Sequence, residues 1–132
     1  MNDLSKLIPD IPSLLAALQK PIHEMLDIAL YGDSTEVSEL TYEMIIRWYL
    51  AQKKQRPDFE FGILYALEDR GRSIPRYYQG AFDKKFKCIA GRQLLPAKIE
   101  KNLSELFDNE PLLIFASHPK NFNERVQKHF RK

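Results

Sequence analysis

The sequence contains a single cysteine, Cys88, among 132 residues. No disulfide can therefore form within the chain, which suits a reducing compartment. Long apolar runs are missing. Stretches such as Leu112 to Ala116 reach only about five residues, against the ~20 needed to cross a bilayer. Met1 to Asp10 has no basic stretch leading into an apolar core, so no signal peptide is expected. These absences predict a cytoplasmic, soluble protein with no membrane partner. Enzyme signatures are missing as well: no glycine-rich phosphate loop, no GxSxG elbow and no paired-cysteine metal site. The expectation is a protein that is not an enzyme, with no catalytic residues, cofactor or metal.

The fragments of chemistry that do occur are incomplete. His23-Glu24-Met25-Leu26-Asp27 resembles a metalloprotease helix motif with its second histidine replaced by Asp, and two ligands on one helix turn do not make a site. Lys85 and Lys87 flank Cys88 closely enough to activate a thiol, but no histidine is near in sequence, so a buried structural thiol is the favoured reading. Arg125 and His129 come close to the spacing of helical ribonucleases without matching it; His118 and His129 are the residues that a small nuclease would use.

What is present is a chain of ordinary single-domain length, taken as one unit over residues 1–132. It is 44% apolar and 29% charged, and needs no metal or disulfide to fold. Net charge is only +2, but it is unevenly spread. Residues 1–69 hold six Lys or Arg and twelve Asp or Glu. Residues 70–101 hold nine and two. Such asymmetry points to an anionic partner, or else to a basic segment that pairs with the acidic first half of the same domain.

The apolar spacing predicts an all-α fold, a compact bundle of about five to seven helices. Asp10 caps a first helix carrying Leu14, Leu15, Leu18, Ile22, Met25, Leu26 and Ala29, with Pro21 expected to kink or split it near Gln19 and Lys20. Asp33 and Glu36 have capping-box spacing before Val37, Leu40, Met44, Ile45 and Trp48, and that helix fades at Gln52 to Arg56. Phe59 to Arg70 reads as a central helix, apolar nearly all round from Phe61 to Leu67. Ser73 and Pro75 open another, lined by Ile74, Tyr78, Phe82, Phe86 and Ile89 and closed by Gly91. A further helix follows Pro96, with Ile99, Leu103, Leu106 and Phe107 inward. Leu112 to Ala116 fits a helix turn or a strand, and helix is preferred because no partner strand is visible. Phe122, Val126 and Phe130 mark a last helix from Asn121.

On a helix from Pro75 to Ala90, Arg76, Gly80, Lys84 and Lys87 would form a basic ridge opposite the apolar stripe. Arg72 and Arg92 extend it, and Lys85 and Lys98 add charge nearby. Arg125 and Lys128, followed by Arg131 and Lys132, make a second basic patch. These residues are the candidate contacts to nucleic-acid phosphates, which bind cations without regard to base sequence. Tyr77, if exposed, adds base stacking; otherwise it belongs to the core. Trp48 is expected in the core. Glu36, Glu39 and Glu43 would cover the outer face of their helix, either repelling nucleic acid or serving as the working surface of a protein–protein adaptor or regulator.

Met44-Ile-Ile-Arg-Trp-Tyr-Leu and Phe61-Gly-Ile-Leu-Tyr-Ala-Leu-Glu-Asp69 resemble the C-terminal helical region of CRISPR Cascade large subunits, which is also made separately as the small subunit. Arg76-Tyr77-Tyr78-Gln79-Gly80-Ala81 follows in similar order, although Phe82-Asp83-Lys84-Lys85-Phe86 replaces the usual small residues. The resemblance covers about half the chain. It implies a non-catalytic helical bundle that stacks with copies of itself in a ribonucleoprotein complex, along the guide–target duplex and the displaced strand.

Overall fold

The computed structural model describes residues 5–7, 16–31, 34–68, 70–107, 111–116 and 122–130. In chain order the elements are β1 (Ser5–Leu7), α1 (Gln19–Tyr31), β2 (Ser34–Leu40), α2 (Tyr42–Gln55), β3 (Phe59–Leu67), β4 (Arg76–Asp83), β5 (Cys88–Ile99), α3 (Lys101–Phe107), β6 (Leu112–Ala116) and α4 (Phe122–Phe130). The strands form one sheet in the order β1-β6-β3-β4-β5-β2. All neighbours are antiparallel except β2 and β5, which run parallel. The architecture is therefore mixed α/β, and the expected all-α bundle is overturned.

Helices cover both faces of the sheet. On one face α1 and α4 bring Leu18 (just before α1), Ile22, Met25, Phe122 and Val126 against Phe61, Ile63, Tyr78, Phe82 and Ile114. On the other, α2 and α3 bring Ile45, Tyr49, Leu103 and Phe107 against Leu64, Tyr77, Ala81, Leu94 and Phe115. A central strand in such a sandwich has no polar side, so its sequence is apolar throughout. That explains β3, whose Phe61-to-Leu67 run reads as an all-round apolar helix but distributes its side chains alternately to two cores. Leu112 to Ala116 is likewise a strand, buried at every position and paired with β3 and β1.

The misreading of residues 75–90 has a specific cause. Tyr78, Phe82 and Phe86 recur every four residues, which is one helix face but also an even spacing, hence one strand face. The segment is a hairpin, with Tyr78 and Phe82 on β4 and Phe86 in the turn, all in the same core. Gly80 stands opposite Gly91 across the hairpin, and the pair forms the seat for α1. A β-carbon at Gly80 would lie 2.5 Å from Cγ and Sδ of Met25, and one at Gly91 3.3 Å from Cγ2 of Ile28.

The N-terminal part of the predicted second helix is the edge strand β2, whose positions Ser34 to Ser38 are half-buried or exposed. Thr41, not Asp33, is the cap of α2: its hydroxyl accepts from the Met44 N–H at 3.2 Å. Asp33 lies outside the described residues, as do Asp10, Leu14 and Leu15 of the predicted first helix. Pro21 falls in the first turn of α1, after a break at Leu18, where its missing N–H costs nothing. Pro96 does not open a helix; it continues β5 beyond the last pairing with β4, Tyr77 with Leu94. Leu103 and Phe107 point inward on α3, and Phe122 and Val126 on α4, as their spacing predicts.

Candidate functional site

With residues 75–90 folded as a hairpin, the ridge drawn on a helix is taken apart. Arg76 opens β4 and Lys84 follows its end. At ~3.3 Å per strand residue these two are roughly 26 Å apart along the chain. The candidate residues separate into three groups.

The first is the turn between β4 and β5. Oδ1 of Asp83 accepts the backbone N–H groups of Lys85 at 2.8 Å and Lys87 at 3.0 Å. The Asp83 N–H donates to the Lys87 carbonyl and the Phe86 N–H to the Asp83 carbonyl, both at 3.0 Å. This tight loop forces Phe86 to φ 63°, the left-handed region that a side chain disfavours. Burial of the ring offsets the strain. Its centroid lies 5.4 Å from Phe61, 6.3 Å from Phe122 and 4.7 Å from the imidazole of His129. With Phe86 directed inward, Lys84, Lys85 and Lys87 are all exposed around it. The His129 contact brings the C-terminal end of α4, with exposed Lys128, to the same corner.

The second group is at the other end of the hairpin. Arg72 is half-buried, and its Nη2 donates to the Pro96 carbonyl at 2.5 Å while Nε is enclosed without a partner among the described residues. It lines one depression with Glu68, Arg70, Ser73 and Pro75, and another with Glu36, Val37 and Leu95. Lys98 is exposed near the end of β5, level with Glu39. Acidic side chains are thus interleaved with the basic ones here, which weakens any single-sign field.

The third group is occupied with the fold itself. Arg125 reaches across to Glu60 at 2.8 Å; Glu60 is only 3% exposed. Arg125 also stands 5.6 Å from the Phe122 ring centroid. Arg92 is half-buried on β5. Its Nε donates to Oε1 of Gln79 at 2.8 Å, and the guanidinium lies 5.2 Å from the centroid of Trp48. No family profile, curated protein or solved structure matches the chain.

Other sequence candidates find structural places. Tyr77 is buried in the core beneath α3, 5.8 Å from Phe107, and offers no stacking surface. Cys88 is buried, and desolvation pushes its thiol up to about 12; its Sγ donates to the Ala90 carbonyl at 3.3 Å. Glu36 and Glu39 lie on β2, not on the helix with Glu43, which pairs with Arg47. His23 is exposed on α1, and no group of three or more metal-ligating side chains occurs among the described residues. His118 lies outside those residues. No described helix is long and apolar enough to cross a membrane. Sequence reasoning missed Phe86 as the anchor of the basic turn. Its signal was an Asp followed by a short run of charged residues, a turn pattern rather than a helix face.

Proposed function

We propose that the protein is a non-catalytic nucleic-acid-binding subunit that holds the phosphate backbone with its β4–β5 turn and the adjoining end of α4. One observation carries this reading: three exposed lysines, Lys84, Lys85 and Lys87, stand together on a turn whose backbone is held by Asp83 around the buried ring of Phe86. Exposed Lys128 lies beside His129, which touches that ring. The fixed turn backbone presents the three lysines on one corner, and the only acidic side chain of the turn, Asp83, is occupied with backbone donors. The Cascade resemblance does not enter this reading, because its second motif falls on β3 rather than on a helix.

The test is replacement of Lys84, Lys85 and Lys87 together by Ala, with binding to single- and double-stranded DNA and RNA measured against salt. If each lysine neutralises one duplex phosphate, the slope of log K against log salt flattens by about 2.7, at ~0.9 per contact; on a single strand the change is about 2.1. Binding by the variant equal to that of the parent would refute the proposal.

A second reading follows from β2, an edge strand with only β5 as its partner among the described residues. Its Glu36 and Glu39 give an acidic edge suited to a basic protein partner. Loss of such a partner on replacing both by Gln, with the lysine variant unaffected, would favour that reading.

A further inference from the structure

Arg92 is a cation with no carboxylate partner among the described residues. Its Nε is taken by Gln79, whose own amide nitrogen donates to the Ile45 carbonyl at 3.0 Å, so the arginine is held by a fully buried side chain that is itself held by α2. The guanidinium carbon lies over the Trp48 ring, 5.2 Å from its centroid. Its two Nη atoms form no hydrogen bond with a described residue, and they are absent from the enclosed atoms that lack one. They therefore reach solvent. Burial lowers the pKa of the group, and the one charge that opposes this is Tyr49, a phenol whose own pKa burial raises well above the ordinary value. No carboxylate contributes. A desolvated guanidinium is normally balanced by an acid; here none of the described residues supplies one, while the geometry is fixed from behind.

We propose that Arg92 and Trp48 form an oxyanion-binding site, in which the two Nη atoms engage two oxygens of a phosphate or carboxylate end-on. With Nε committed to Gln79, the open edge of the fork is the pair of Nη donors, the arrangement that suits a bidentate oxyanion. β2 begins its pairing with β5 at Gln93, so Arg92 lies just past the end of the edge strand. This site is separate from the lysine turn: Gln79 and Arg92 pair several residues away from Asp83 and Lys87.

Trp48 is the only tryptophan of the chain, so its emission reports on this site directly. Inorganic phosphate, acetate and a single-stranded oligonucleotide are titrated separately into the full-length protein at constant ionic strength, with chloride as the balancing anion. The expected result is a saturable change in Trp48 emission that is absent in Arg92→Gln and needs about tenfold more anion in Arg92→Lys, which keeps the charge and loses the fork. The Lys84, Lys85 and Lys87 triple variant should keep the response to phosphate or acetate, which separates this site from the proposed nucleic-acid surface. Saturation by phosphate but not acetate identifies a phosphate ligand, and competition of the oligonucleotide with phosphate identifies its source. If Arg92→Gln does not fold, the Arg92→Lys titration decides. No saturable response in the parent, or an equal response in Arg92→Lys, overturns the proposal.

Discussion

The ring of Tyr49 fills the space that a side chain at position 62 would occupy: a β-carbon on Gly62 would fall 2.1 Å from its Cε1. Tyr49 is fully buried and packs at 5.5 Å from Phe115 and 6.1 Å from Phe59, so it has nowhere to retreat. Gly62→Ala should therefore cost about 3 kcal/mol, the upper end of overpacking penalties, or prevent folding. Gly80→Ala meets the flexible side chain of Met25 at 2.5 Å and should cost less, about 1–2 kcal/mol. Urea denaturation of the two variants side by side checks the order; the reverse order would place the tight contact at the wrong helix.

The hydroxyl of Tyr49 is enclosed beside the Gln79 side chain but makes no well-formed hydrogen bond among the described residues. Removing an unsatisfied buried group takes away a desolvation penalty. Tyr49→Phe should leave stability unchanged or raise it by about 1 kcal/mol, read from the denaturation midpoint. A loss of 2 kcal/mol would show that the hydroxyl has a partner in solution.

Glu60 and Arg125 connect β3 to α4. Arg125→Met leaves a carboxylate that is 3% exposed without its guanidinium. The expected loss is about 2 kcal/mol, below the range for fully buried pairs because the Arg125 side chain is 37% exposed. Thermal unfolding of the single and double replacements measures the coupling. No coupling between the sites would remove Arg125 from the structural group and return it to the candidate binding residues.

Cys88 should resist a disulfide reagent at pH 8 while the protein is folded and react at once in urea, because its thiol is buried and held up to about 12. The sign for stability follows. The folded thiol ionises with more difficulty than a free one near 9.0, so ionisation favours the unfolded chain. Its contribution is complete below about pH 9 and is lost as pH rises toward 12. Cys88→Ala should flatten the decline in stability over that window, measured against the parent at each pH.

Much of the helix geometry was legible in the sequence. The C-terminal end of α2 and the inward pairs Leu103 with Phe107 and Phe122 with Val126 followed from local spacing, whereas the break expected near Gln19 and Lys20 falls at Leu18, with Pro21 inside the first turn of α1. The sheet did not, for a physical reason. Strand alternation is visible only when one face meets water, and β3, β4 and β6 meet helices on both. The edge strand β2, which does meet water, was hidden by Asp33 and Glu36 at capping-box spacing. The candidate site inherited the error: lysines assigned to a helix ridge belong to a turn, and Arg92, placed at the end of that ridge, is tied to Gln79, a pairing that only the hairpin register creates.

The outermost pairing of the sheet joins Ser5–Leu7 to residues 114–116. During synthesis the first strand leaves the ribosome about a hundred residues before its neighbour exists, at ~5–20 residues per second a wait of many seconds. β3 must likewise wait for β6 on one flank while it pairs with β4 on the other. The hairpin β4–β5 and its helices can assemble first, and the sheet then closes from the C-terminal side. A nascent chain extended so that residues up to 110 are clear of the exit tunnel should therefore hold a protected β3–β4–β5 core with a protease-sensitive N-terminal segment, which becomes resistant once β6 is also released.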